Sequence, residues 1–248
     1  MNVCKGLIVI LGCVGISDVG CAAGNLVNES FAQTKKLLES RVYFDHRVTL
    51  YCAARFDRYK YVEKPAGFTT PAHQKRAQRI EWEHVVPAEN FGRTFPEWRN
   101  GNAACVNSKG RFKGRRCAEL TSREYRLMQS DMYNLYPAIG AVNALRSNYD
   151  FTVFSKSTPN TFGSCTMKIY QPLAEPPERS RGVIARTYKY MAQTYPRFRL
   201  SEATQKLMDA WDKTYPVDAW ECLRAKRIQA LQGNENPVLK EACRNRGF

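Results

Sequence analysis

The sequence has little material for a catalytic centre built on several imidazoles, since its histidines are His46, His73 and His84 alone. His84 stands beside a carboxylate in Arg79-Ile80-Glu81-Trp82-Glu83-His84-Val85-Val86-Pro87. Charged and apolar residues alternate through this run, the pattern of a half-buried strand, and Pro87 turns or stops it. In a regular strand Glu83 and His84 point to opposite faces. That suits a division of labour in which the carboxylate holds a cation and the imidazole faces a water or nucleophile. Phosphodiester hydrolysis needs these parts: an activated water, a cation to meet developing charge, and basic groups to hold a polyanion. Glu83 with a nearby amide can bind a hard ion such as Mg²⁺, and a neutral imidazole can take a proton near pH 7. By itself a Glu-His pair is a common solvated surface feature, so its weight depends on context.

The elements that must position this pair follow from periodicity and caps. Asn28 or Ser30 caps a helix through Phe31, Lys35, Leu37 and Leu38, and Val42–Cys52 then turns to the β-branched and aromatic residues of a strand. Residues 60–78 read as loop, and residues 99–117 as a long basic loop. Thr121-Ser122-Arg123-Glu124 supplies a cap and an acidic first turn for a helix over 121–136 that ends near Pro137. Residues 143–160 read as polar loop and 164–170 as a strand, followed by helices over 178–194, 201–214 and 217–232, the last closed by Gly233. Strands early and helices late give an α+β fold, one domain with a largely helical C-terminal third.

Composition sets the partner class. The 248 residues carry 38 Lys and Arg against 23 Asp and Glu, a net charge of +15 that favours polyanions, nucleic acid foremost. Residues 1–23 have a basic start, a short apolar run and a small-x-small ending at Cys21 and Ala23, the plan of a removed export signal, leaving 24–248 as the mature domain. Its removal takes Lys5 with Asp18, so the +15 is kept, and turns nine cysteines into six. Six in an exported chain read as three disulfides. Local pairing gives Cys105 with Cys117 and Cys222 with Cys243, and elimination gives Cys52 with Cys165. No stretch beyond the leader approaches transmembrane length, which leaves the mature form without membrane attachment. Seven Lys and Arg against two Glu between Lys109 and Arg126, with Arg179, Arg181, Arg186 and Lys189, make a set able to track phosphates. Trp82, Trp98, Trp211 and Trp220 read as core residues, not as stacking platforms.

The run 79–88, with Phe91-Gly92 and then Ser130-Asp131-Met132-Tyr133-Asn134-Leu135-Tyr136-Pro137, resembles the endonuclease I family of periplasmic and secreted nonspecific nucleases. Further matches follow in order: Gly163-Ser164-Cys165-Thr166-Met167-Lys168, Ala174-Glu175-Pro176-Pro177, Arg181-Gly182-Val183-Ile184-Ala185-Arg186-Thr187-Tyr188, Tyr215-Pro216-Val217-Asp218-Ala219-Trp220-Glu221-Cys222 and Gln232-Gly233-Asn234-Glu235-Asn236-Pro237. The similarity is collinear from about residue 79 to residue 243.

The resemblance implies a ββα-metal, or His-Me finger, centre. In it His84 is the general base, Glu83 a direct metal ligand and Asn134, on the 121–136 helix, the second ligand. An arginine before the second cysteine of the Cys105–Cys117 pair steadies the cleaved phosphate, here assigned to Arg115 over Arg116. Mg²⁺ is the expected ion, with Mn²⁺ or Ca²⁺ as alternatives. Tyr133 stands where the family commonly has His, and two further family cysteines are missing together, near Ala54 and Gly67. The expectation is an exported, monomeric, Mg²⁺-dependent endonuclease, periplasmic or extracellular, that cuts DNA, with RNA as a second candidate substrate, without sequence preference and leaves 5′-phosphates. The rival is a secreted basic nucleic-acid-binding protein without activity, which would have no need of Glu83, His84 and Asn134 together.

Overall fold

The structure, a computed structural model, describes residues 24–248. The expected export signal, with Cys4, Cys13 and Cys21, lies outside the described residues. Helix α1 (Phe31–Leu37) is capped by Ser30, whose hydroxyl accepts from the Gln33 amide. It runs on into a π-helical turn, Leu38–Val42, and the strand expected over Val42–Cys52 does not form: residues 43–52 are bends and turns with a single bridge from Val48 to Arg55. Leu38 and Val42, four residues apart, are both fully buried, as is Tyr43. Helical spacing is what turns both into the core, and that burial outweighs the β-preference of the side chains. Strands β1 (Arg55–Phe56) and β2 (Val62–Glu63) form a short antiparallel pair beyond it.

The central hairpin is β3 (Ile80–His84) against β6 (Leu135–Ile139), antiparallel, with Ile80 opposite Ile139, Trp82 opposite Pro137 and His84 opposite Leu135. Between them lie α2 (Ala88–Gly92), α3 (Pro96–Asn100), the hairpin of β4 (Val106–Asn107) and β5 (Gly110–Arg111), α4 (Arg115–Thr121) and α5 (Arg123–Gln129). The helix expected over 121–136 therefore ends at Gln129. Asp131 caps a 3-10 turn at Met132–Asn134, accepting from the Tyr133 amide, and the chain then becomes strand. All five residues of β6 are buried, so their backbone needs a ladder, which β3 supplies. Pro137 is tolerated there because a two-stranded sheet leaves each strand a free edge.

Helix α6 (Gly140–Arg146) follows β6 without a linker and packs on β3 and β6, in a region expected to be loop from residue 143. It has no side-chain cap to announce it. Its first residue is Gly140, where a Cβ would lie 2.5 Å from the Arg76 carbonyl oxygen, so only glycine lets the helix start against that turn. Strands β7 (Asp150–Phe151), β8 (Lys168–Tyr170) and β9 (Leu173–Glu175) form a sheet in the order β7-β9-β8.

The last third is helical, as expected: α7 (Glu178–Thr194), α8 (Glu202–Thr214), α9 (Ala219–Gln232) closed by left-handed Gly233, and α10 (Pro237–Asn245). The last of these was not foreseen, although Asn236 caps it and Pro237 opens it. Helices and small sheets together make a mixed α+β architecture, and the buried apolar side chains form one cluster reaching from Leu38 to Cys243. Three disulfides staple it, Cys52–Cys165, Cys105–Cys117 and Cys222–Cys243, the pairing expected from the sequence. Trp82 and Trp211 are buried, and Trp98 and Trp220 pack half-buried against the same cluster.

Candidate active site

His84 closes β3 and is buried, while still lining a cleft of about 870 Å³. Its Nε2 lies 2.8 Å from the Gln129 carbonyl oxygen at the end of α5. A carbonyl only accepts, so Nε2 carries the hydrogen and Nδ1 keeps its lone pair. Burial drives the imidazole pKa down to about 3; the nearby Arg115 guanidinium adds to that, and the Gln129 carbonyl opposes it. The ring is therefore neutral at physiological pH, with one nitrogen anchored and the other free to take a proton. Phe31 of α1 covers it, with ring centroids 5.0 Å apart.

Glu83, on the opposite face of β3, is buried as well and also lines the cleft. Its Oε1 accepts from the Tyr51 hydroxyl and from Arg146 Nη1, both at 2.8 Å, and no described residue donates to its Oε2. Burial pushes the carboxyl pKa up, while Arg146 and Tyr51 pull it down.

Asn134 is not at the cleft. It is fully buried, its Oδ1 accepts from the Val86 amide at 2.7 Å and its Nδ2 donates to the Val86 carbonyl at 2.9 Å. Its carbonyl accepts from the Val85 amide as well. Asn134 thus fastens the turn after His84 to the start of β6, and both ends of its amide are spent. The amide that does reach the cleft is Asn143, on α6. Its Nδ2 donates to Glu81 Oε2 at 2.7 Å, and Glu81 is itself gripped by Arg76 through two hydrogen bonds. A carboxylate can only accept, so the amide is oriented with Oδ1 away from Glu81, and no described residue donates to that oxygen. Glu83 Oε2 and Asn143 Oδ1 are two uncommitted hard oxygens on one cleft, a donor set that suits Mg²⁺ completing its shell with water. Among the described residues no cluster of three or more His, Cys, Asp or Glu is placed to hold a metal.

Arg115, the first residue of α4, lines the cleft and donates to Gln129 Oε1 at 3.2–3.3 Å, with its guanidinium 5.2 Å from the Phe31 ring centre. Gln129 therefore touches both functional groups, His84 through its carbonyl and Arg115 through its side chain. Arg116 stands over Phe112 and is not part of the cleft lining.

The basic residues divide sharply. Arg186 is buried against Glu221 and Asp212, Arg181 holds Glu175, Lys189 holds Asp212, and Arg179 donates to the Thr49 and Leu50 carbonyls. The α7 set thus braces the fold and offers no phosphate track. Arg123 and Arg126 both pair with Glu29. Lys109, Arg111, Lys113 and Arg116 are exposed on the β4–β5 hairpin and its exit. Lys35 and Lys36 of α1 line the cleft with no carboxylate partner among the described residues. Sequence reading passed over them as ordinary helix positions, although two adjacent lysines in a short helix before the catalytic strand were visible.

A neutral imidazole with one nitrogen free, on a cleft that carries Lys35, Lys36 and Arg115 as well as carboxylates, is chemically suited to hydrolysing an anionic ester. The chain is a member of the Endonuclease I family, which it matches over residues 33–243. It is 40% identical over 222 residues to a protein of Aeromonas hydrophila named extracellular deoxyribonuclease, covering 87% of this chain and 91% of that one. A periplasmic deoxyribonuclease of the same organism is 40% identical over 210 residues, 82% of each chain. Endonuclease-1 of Buchnera aphidicola subsp. Acyrthosiphon pisum is 38% identical over 221 residues, covering 87% of this chain and 82% of that one. Among the described residues no helix is long and apolar enough to cross a membrane.

Proposed function

We propose that the protein is an exported, divalent-metal-dependent endonuclease that hydrolyses DNA, and in principle RNA, without reading sequence. The observation that carries this reading is His84, held neutral with Nε2 on the Gln129 carbonyl and Nδ1 free beside a cleft that carries Lys35, Lys36 and Arg115. The His84 Nδ1 takes the proton of a water aligned with the scissile phosphorus. Arg115, anchored by Gln129, steadies the charge on the cleaved phosphate. Glu83 and Asn143 would hold the ion, Mg²⁺ first, in a ββα-metal unit made by β3, β6 and α6. When bound, the ion supplies charge stabilisation at the phosphate and at the 3′-oxygen leaving group. Asn134 supports that unit by fixing the turn after His84, in place of the ligand role expected for it.

Lys35, Lys36 and the β4–β5 cations bind phosphates, which carry no sequence information, so cleavage is indifferent to sequence. Names of the relatives place two of them outside the cytoplasm, and three disulfides suit an oxidising compartment, which supports a mature protein that works in the periplasm or outside the cell. The test is end-group analysis of labelled duplex DNA and of RNA incubated with Mg²⁺ or with EDTA. The expected products carry 5′-phosphate and 3′-hydroxyl ends, show no sequence bias and are absent in EDTA. DNA that is bound but uncut with every divalent ion tried would identify a nucleic-acid-binding protein instead.

A further inference from the structure

Arg146 is among the largest side chains with no solvent exposure, yet it lies on α6 three residues after Asn143, directly behind the catalytic strand. Its Nη1 donates to Glu83 Oε1 at 2.8 Å and to the His84 carbonyl at 3.0 Å, and its Nη2 donates to the Val85 carbonyl at 2.7 Å. One planar fork thus fixes the Glu83 carboxylate and two successive backbone carbonyls, those of His84 and Val85, at the end of β3. Such a fork is a geometry that the point charge of lysine cannot reproduce. Phe151 packs over the guanidinium with its centre 4.4 Å away. The buried Tyr51 hydroxyl adds a second donor to the same Oε1.

A carboxylate oxygen accepts about two hydrogen bonds in the directions of its lone pairs. With Tyr51 and Arg146 both on Oε1, that oxygen is filled, and Oε2 is the one left for the cleft. We propose that Arg146 and Tyr51 are a positioning pair that makes Glu83 a one-oxygen ligand and so selects a small octahedral ion, Mg²⁺ or Mn²⁺, over Ca²⁺. Ca²⁺ gathers six to eight oxygens and often takes a carboxylate by both, whereas Mg²⁺ keeps most of its waters and uses one oxygen per carboxylate. Loss of either donor frees Oε1 and removes the bias. The inference rests on Glu83 being a metal ligand, as proposed above.

The test is Mn²⁺ binding to the metal-free protein by electron paramagnetic resonance, with Mg²⁺ and Ca²⁺ as competitors. The variants are Tyr51→Phe, Arg146→Lys and Glu83→Gln, each checked for wild-type circular dichroism. Tyr51→Phe keeps the ring and decides the question even if Arg146→Lys does not fold. The expected result is Mn²⁺ affinity weakened on the order of 10–100-fold in Tyr51→Phe, the range for an outer-shell partner. Ca²⁺ should also gain on Mg²⁺ as a competitor. Unchanged affinity and an unchanged Ca²⁺-to-Mg²⁺ ratio in Tyr51→Phe, with binding lost in Glu83→Gln, would overturn the positioning role and leave the ligand assignment standing. Wild-type binding by Glu83→Gln would overturn the ligand assignment itself, and the inference with it.

Discussion

At the scale of single residues, two asparagines separate what builds the site from what works in it. Asn134 is fully buried with both amide ends on Val86, and Asn143 is half-buried with one end on Glu81 and the other facing the cleft. Asn134→Ala strands two buried backbone groups and should lower unfolding free energy by on the order of 3 kcal/mol. Asn143→Ala gives up one hydrogen bond to Glu81 and should cost only about 0.5–1.5 kcal/mol. It should nevertheless reduce cleavage at least on the order of 10–100-fold, the cost of losing even an outer-shell group. Urea melts and initial rates on the two variants check this, and the reverse pattern would return the ligand role to Asn134. His46 makes a separate case. It is stacked on Trp220 with centroids 3.9 Å apart, and desolvation lowers its pKa, with Asp218 and Asp45 opposing. A folded pKa below the unfolded value means the unfolded chain binds more protons as pH falls through about 6.5, so stability drops there. His46→Phe, which keeps the stacking, should show a shallower loss between about pH 7 and 5; parallel stability–pH curves would refute the assignment.

Among the elements, α6 and β6 were the least legible, and they matter most. Ser122 and Glu124 announced a helix start correctly, but nothing local marks its stop at Gln129, and Leu135–Ile139 is apolar enough to read as either helix or strand. Pairing with β3 decides it, and that contact spans about fifty residues of sequence, beyond any local window. Helix α6 lacks a side-chain cap, so its Asn143 was hidden in an apparent loop. Helices α8 and α9, by contrast, start at their side-chain caps, Ser201 and Asp218, and α9 stops at Gly233. The disulfides were legible because export leaves few partners. Cys52–Cys165 spans 113 residues, against 12 for Cys105–Cys117 and 21 for Cys222–Cys243. Loop entropy then predicts that removing the pair with Cys52→Ser/Cys165→Ser costs about 4–5 kcal/mol, against about 3 kcal/mol for Cys105→Ser/Cys117→Ser. Equal losses in urea titrations would show that loop length is not what governs them.

For the whole molecule the +15 charge is the organising quantity, but the structure redistributes it. The α7 arginines that looked like a phosphate track are turned to carboxylates and carbonyls inside the fold. Cations with no carboxylate partner among the described residues include Lys35 and Lys36 of α1, at the cleft, and those of the β4–β5 hairpin. The sign of the charge was readable from composition, whereas its placement depended on which carboxylates the fold brings near. DNA affinity should fall linearly in log–log plots against salt, with a slope set by the phosphates contacted. Lys35→Ala/Lys36→Ala should reduce that slope by nearly two, while Lys189→Ala should leave it unchanged. Equal effects of the two variants in filter-binding titrations would contradict the placement. Whether His84 is the general base is decided by single-turnover cleavage of supercoiled plasmid in Mg²⁺ by wild type and His84→Ala. The expected result is a loss on the order of 10²–10⁴-fold in His84→Ala with DNA binding intact, as for removal of a general base. Cleavage by His84→Ala at the wild-type rate would remove His84 from that role.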